Sequence, residues 1–231
     1  MKAPAPRVVL VAPEDPLNAG LVARAMKCFG ASELFVAGAE WGAMPDAARR
    51  TGSSAEAILA SARFVPDLAA ALKGCDSAVA FSRRPTSLRQ ASFDLPGVPA
   101  ALRAGKIALV FGRESSGLTA AEFALCPWRA RIPCEGTMSL NLGQAAAVAL
   151  HAFTAGATRA PEGEKTPVAL DRMLSLWEFL EPRLKTAPRF TDARLQRTRQ
   201  MLYRLPLDDD DFDMLYAVVR TLANPKKSVD K

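Results

Sequence analysis

The sequence predicts an α/β protein: a parallel sheet flanked by helices, followed by a small all-helical extension. Three observations carry this. Short apolar runs alternate with helical patterns from residue 8 to about 155. The stretch "GATRAPEGEKTP", 156–167, interrupts the alternation with Gly, Pro and charge and no apolar period. Every apolar pattern beyond it has helical spacing. The expected division is therefore 1–158 for the sheet domain and 159–231 for the extension. With 231 residues, 49% of them hydrophobic, the chain can bury a sizeable core.

The strand candidates are 8–12, 34–37, 78–81, 107–111 and 130–133, with a weaker one near 64–65. They are too short for helices, and most are rich in β-branched or aromatic residues. Helical patterns fall between them at 18–29, 54–62, 67–73, 98–104, 119–125 and 141–155. In the first helix Asn18 suits the N-cap. Leu21, Ala25 and Cys28, beside Val22, Met26 and Phe29, form its buried stripe. Gly20, Arg24 and Lys27 share the opposite side, where Gly20 would let another chain approach; for the basic pair alone, an ordinary solvated helix face is the simpler account. In the extension, helices are expected at 168–184, at 191–205 and from "DDDDFDMLYAVVRTL", whose aspartates would sit at a positive helix N-terminus.

Composition narrows the function classes. Thirty Lys and Arg against 24 Asp and Glu give a net charge of +6, which suits a polyanionic partner as well as a plain soluble surface. The four cysteines form no C-x-x-C pair and there is one histidine, so no metal site is expected. Free thiols in a reducing cytoplasm are the simpler account. The apolar run at the N-terminus is too short for a signal peptide, and "AAAVALHAF" is too short to span a bilayer, so no membrane role is expected.

In parallel α/β sheets, ligands bind beyond the carboxyl ends of the strands. Three segments there draw attention. The first, "APEDPLNAGLVARAMKCFG", lacks the G-x-G-x-x-G that a dinucleotide site would need. The second, "GRESSGLT", 112–119, matches a phosphate-binding loop except that Leu118 stands where the lysine must be. Its glycines suit a ligand held by backbone groups, or equally a tight strand-to-helix connection capped by Thr119. The third, "IPCEGTMSLNLGQAAAVALHAF", places Gly136, Thr137 and Ser139 in a loop and Asn141 where it caps a helix or meets a ligand. His151 lies well past that loop and reads as a packed or surface residue.

"NAGLVARAMKCFG", "LVFGRESSGLT" and "IPCEGTMSLNLGQA", in this order, resemble the three motifs of the SPOUT RNA 2'-O-ribose methyltransferases of the TrmH family. The resemblance covers about residues 7–155. The extension, with "LWEFLEPRL" and "RLQRTRQMLYRL", is similar to the TrmJ branch, which methylates the ribose at position 32 of the tRNA anticodon loop. It implies a SPOUT fold with a C-terminal trefoil knot, S-adenosyl-L-methionine as cofactor, tRNA as partner, a homodimer joined through the knot region and work in the cytoplasm. Family positions carried onto this chain put Phe81, Ser82, Arg83, Gly112, Glu114, Gly117, Ile132, Met138, Ser139 and Leu140 around the cofactor. Arg24, Asn18, Glu114, Ser139 and Asn141 would form the catalytic shell.

An arginine, with a pKa of roughly 12 or higher, is a poor proton acceptor. The expected role for Arg24 is to hold the target phosphate and stabilise the developing alkoxide. Arg194, Arg197 and Arg204 share a face of the 191–205 helix and read as phosphate contacts once an RNA enzyme is attached, with Arg84, Arg89, Arg103 and Lys106 adding to the track. The rival readings are a SPOUT enzyme for another tRNA ribose or for rRNA, a non-catalytic knotted RNA-binding protein, and a nucleotide-binding protein with a degenerate loop. Leu118 argues against the last.

Overall fold

The computed structural model describes residues 4–82, 91–102, 105–135, 139–155 and 168–223. Among the described residues seven strands build one sheet: β1 (Arg7–Val11), β2 (Leu34–Ala37), β3 (Arg63–Val65), β4 (Ser77–Phe81), β5 (Ala91–Asp94), β6 (Ile107–Phe111) and β7 (Trp128–Arg131). Their order is β3-β2-β1-β6-β4-β7-β5, and every pairing is parallel. β1, β4 and β6 are buried at every position, as strands covered on both faces must be.

Alternate residues of each strand feed two cores. One face sends Val8, Leu10, Val36, Val79 and Leu109 against α1 (Pro16–Phe29), α2 (Asp46–Gly52), α3 (Glu56–Ala60) and α6 (Leu142–Ala155). The other sends Val9, Val11, Phe35, Ala78, Ala80, Ala108 and Val110 against α4 (Leu68–Leu72), α5 (Ala120–Ala124) and the helices after residue 167.

Those later helices are α7 (Leu170–Lys185), α8 (Asp192–Leu202) and α9 (Asp209–Ala223). Leu170, Met173, Leu176, Trp177, Leu195, Leu202, Tyr203 and Phe212 are buried in the same cluster as the sheet face. Leu170 N donates to Cys75 O at 2.6 Å, and Gln200 Nε2 donates to Ala124 O at 3.2 Å. The extension is thus packed onto the sheet. The stretch 156–167 lies outside the described residues. Asp208 caps α9 by accepting from Asp211 N at 2.8 Å, and Asp209, Asp210 and Asp211 fill its first turn. Among the described residues no helix is long and apolar enough to cross a membrane.

Several elements differ from the sequence reading. α1 starts earlier than expected because Asp15, not Asn18, is its N-cap. Asp15 accepts from Leu17 N at 2.9 Å, and Pro16 presets the first helical φ. α2 was not expected; it begins after Pro45, and the helix expected at 54–62 is a 3₁₀ turn (Ser53–Ala55) followed by α3. The stretch expected to be helical at 98–104 forms only a 3₁₀ turn, Ala100–Leu102, before residues 103–104, which are not described. β7 lies two residues before the expected 130–133, and β5 was missed. Both belong to the sheet's margin and alternate apolar with polar residues, ASFD and WRAR, rather than forming apolar runs, with Arg131 forking onto Asp94 at 2.8 and 2.5 Å.

Candidate active site

β1, β6, β4 and β7 are neighbours, so the segments that leave their carboxyl ends converge. They enclose a cavity of about 800 Å³. Phe81 and Phe111, stacked 4.7 Å apart, together with Ile132, Leu140 and Ala145, make its apolar part. Asn18, Ser82, Glu114, Ser139 and Asn141 make its polar part.

The loop after β6 is closed on itself. A Cβ on Gly112 would lie 2.4 Å from the Gly117 carbonyl carbon and 2.5 Å from Leu118 N, so only glycine allows the return. Gly117 has φ +73°, a left-handed conformation that also favours glycine. Arg113 donates to Gly117 O at 3.3 Å and forks onto Glu122 at 3.0 and 3.1 Å. Glu122 completes a capping box with Thr119 at the start of α5. Burial pushes the Glu122 carboxyl up, but Arg113 and the Thr119 amide outweigh it and hold it below the ordinary value. The bond to Glu122 in turn raises Arg113. Leu118 is 8% exposed and packs with Phe123 where the sheet core borders the cavity, so the position where a phosphate-binding lysine would stand is filled by a buried apolar side chain.

Glu114 ties this loop to the start of α1. Its carboxylate accepts from Glu14 N at 2.9 Å, Asp15 N at 3.3 Å and Asn18 Nδ2 at 2.8 Å. Asn18 therefore keeps its carbonyl oxygen as an acceptor at the cavity wall. Asn141 caps α6: its Oδ1 accepts from Gln144 N at 2.8 Å, and Gln144 Oε1 accepts from Asn141 N at 3.1 Å. This leaves the Asn141 amide group as a donor.

Of the residues named from the sequence, Asn18, Phe81, Ser82, Gly112, Glu114, Gly117, Ile132, Ser139, Leu140 and Asn141 line the cavity. Arg83 and Met138 lie outside the described residues, as do Arg84, Arg89 and Arg103. Arg24 does not line it. It is exposed on α1 and makes no hydrogen bond or ion pair among the described residues. Gly20 does not receive another chain: α2 of the same chain fills that space, and a Cβ there would meet Ala48 O at 2.1 Å. Lys27 donates to Ser54 O. Lys106 precedes β6, at the end of the strand remote from the cavity, and bonds Glu33 at 2.5 Å, so it joins no track at the site.

His151 is exposed with its ring 5.7 Å from Phe29. In the extension Arg194, Arg197 and Arg204 are exposed, whereas Arg199 turns inward over Trp177, its guanidinium 5.2 Å from the ring. Sequence reasoning missed Glu14, the Arg113–Glu122 clamp, and the cavity residues Phe111, Cys134 and Ala145. Phe111 was findable as the last residue of an apolar run before the glycine; nothing local marked Glu14.

The profile described as the SpoU rRNA Methylase family matches residues 5–151. The chain is 39% identical over 148 residues to the tRNA (cytidine/uridine/adenosine-2'-O-)-methyltransferase TrmJ of Pseudomonas aeruginosa, a match spanning 62% of this chain and 57% of that protein. It is 34% identical over 193 residues to the tRNA (cytidine/uridine-2'-O-)-methyltransferase TrmJ of Pectobacterium atrosepticum, spanning 77% of this chain and 78% of that one. The crystal structure of TrmJ from Z. mobilis ZM4 superposes with a TM-score of 0.82 at 25% identity, covering 95% of this chain and 100% of that chain. The SpoU methyltransferase AviRb from Streptomyces viridochromogenes, solved in complex with AdoMet, shares the fold at a TM-score of 0.55 and 22% identity, covering 67% of this chain and 61% of that one.

Proposed function

The chain belongs to the SpoU methylase family, and from that premise we propose that it is a tRNA 2'-O-ribose methyltransferase that uses S-adenosylmethionine. The observation that carries this is the meeting of three separate strand-end segments around one cavity, with Asn18, Glu114, Ser139 and Asn141 on its wall. The target we assign is the cytidine or uridine at position 32 of the anticodon loop. The extension supports that choice, because the match to the Z. mobilis TrmJ covers 95% of this chain and so includes α7 to α9.

The cavity fits the cofactor by its chemistry. It joins an apolar part to a polar part, as an adenosine joined to an amino acid requires. Among its described lining residues there is no lysine, and its one arginine, Arg113, is bound to Glu122. That suits a ligand without a triphosphate. When bound, S-adenosylmethionine supplies a sulfonium methyl group. The backbone of 112–118 and the side chains of Phe81, Ile132 and Leu140 would hold it. The Asn141 amide would donate to it or to the ribose, and the Asn18 oxygen would accept from a hydroxyl. The chain's contribution is position and electrostatics.

Arg24 supplies the positive charge for the phosphate and the alkoxide. Because it does not line the cavity of its own chain, this reading has it act across a homodimer, and it includes the family's trefoil knot and a cytoplasmic place of work. Arg194, Arg197 and Arg204 on α8 give the exposed cationic face that a tRNA backbone would meet.

The test is incubation with labelled S-adenosylmethionine and total tRNA, followed by mapping of the modified nucleotide. A 2'-O-methyl at anticodon-loop position 32 is expected. Label at another tRNA ribose, or only in rRNA, overturns the substrate assignment. Binding of S-adenosylhomocysteine without transfer to any RNA overturns the enzymatic one.

A further inference from the structure

We propose that Glu14 is a positioning residue for the cofactor loop, a role that rests on the methyltransferase reading of the cavity. Two carboxylates cross between two segments. Glu114, from the loop, accepts from Glu14 N, Asp15 N and Asn18 Nδ2. Glu14, from the segment before α1, reaches back and accepts from Ser115 N at 3.0 Å and Ser115 Oγ at 2.5 Å. Each segment thus gives a carboxylate and receives one.

The two halves of this clasp differ in place. Glu114, Ser115 and Asn18 line the cavity, whereas Glu14 does not. Glu14 therefore acts on the ligand only through the backbone it holds. The root of the loop is set by the Arg113–Gly117 bridge and the Arg113–Glu122 fork. Its tip, 114–116, is exposed and lines the cavity. A loop tip in water samples many conformations unless tied down, and bonds to an ionised acceptor are the stronger ties. The Ser115 bonds, from the hydroxyl and then the amide, also hold the Glu14 carboxyl below its ordinary value, so it is ionised at neutral pH. Glu14 thereby aligns the loop that bears Glu114 with the helix that bears Asn18.

The experiment measures S-adenosylhomocysteine affinity by calorimetry and steady-state kinetics with tRNA for wild type, Glu14→Ala, Glu14→Gln, Ser115→Ala and Glu14→Ala/Ser115→Ala. Glu14→Ala is expected to weaken S-adenosylhomocysteine binding about tenfold, the order of one lost charge-assisted bond. The loss should fall on KM for S-adenosylmethionine rather than on KM for tRNA. Glu14→Gln keeps one uncharged acceptor oxygen where Glu14 offers two charged ones, so it should recover only part of the loss. The double variant should be no weaker than Glu14→Ala, because both changes break the same tie. Unchanged affinity in Glu14→Ala, additive losses in the double variant, or a loss explained by a lower unfolding temperature each overturn the proposal. If the wild-type protein itself fails to bind S-adenosylhomocysteine, the cofactor reading falls first and the role of Glu14 falls with it.

Discussion

Arg113 grips both carboxylate oxygens of Glu122, at 3.0 and 3.1 Å, across the turn that joins β6 to α5. The pair is half-buried, bidentate and shared with a capping box, so it sets both the loop's root and the helix's start.

Glu122→Gln keeps a residue that can close the capping box but loses the charge that Arg113 meets. We expect a stability loss of about 1 kcal/mol at neutral pH. The folded-state pKa of Glu122 is depressed, so its contribution is fully present above the ordinary carboxylate value of 4.5 and is lost as pH falls through the lower folded value. Denaturant unfolding at a series of pH values checks this: the gap between wild type and Glu122→Gln should close in acid.

Gly20→Ala should cost about 1–3 kcal/mol or more, because the new methyl would collide with Ala48 O and Thr51 Oγ1, at 2.1 and 2.2 Å. Thr51 is not free to move, since its hydroxyl donates to Leu17 O at 2.7 Å. Gly42→Ala is the control: it meets nothing within 4 Å and should leave the denaturation midpoint unchanged.

Trp177→Ala should destabilise the whole protein by about 3–5 kcal/mol, because Trp177 is buried in the cluster that covers one sheet face. Removing α7 to α9 outright would uncover that face and yield unfolded or aggregated chain. The RNA binding proposed for the extension is better probed at its surface. Arg194→Ala with Arg197→Ala should leave the unfolding temperature unchanged and weaken tRNA binding, with a salt dependence shallower by about one to two phosphate contacts.

Arg24→Ala should leave S-adenosylhomocysteine affinity unchanged, because Arg24 does not line the cavity. Single-turnover methylation should fall by at least about a hundredfold, the scale of one lost donor at a developing oxyanion. Arg24→Lys should rescue little, since an ammonium lacks the planar fork. Asn141→Ala chains are expected to be inactive, and mixing them with Arg24→Ala chains should restore part of the activity if the two residues serve one site across a dimer. No restoration would confine Arg24 to its own chain.

The parallel sheet, its central strands and the glycine loop after β6 were legible in the sequence for a physical reason. Strands buried on both faces must be short apolar runs, as in "KIALVF", and loops that turn back sharply must carry glycine at positions such as 112 and 117. Helix periodicity likewise located α6 to α9 to within a few residues. The marginal strands β5 and β7 were hidden or shifted, because half-exposed strands alternate polar and apolar residues over too few positions to stand out. What only the tertiary structure decided is who meets whom. Gly20 faces α2 of its own chain, Leu118 faces the core, α7 closes over the sheet, and Glu14 reaches a serine a hundred residues away. Local pattern reports the period and polarity of a segment. It carries no distance between segments far apart in the chain, and such distances are set by the packing of the sheet and helices as a whole.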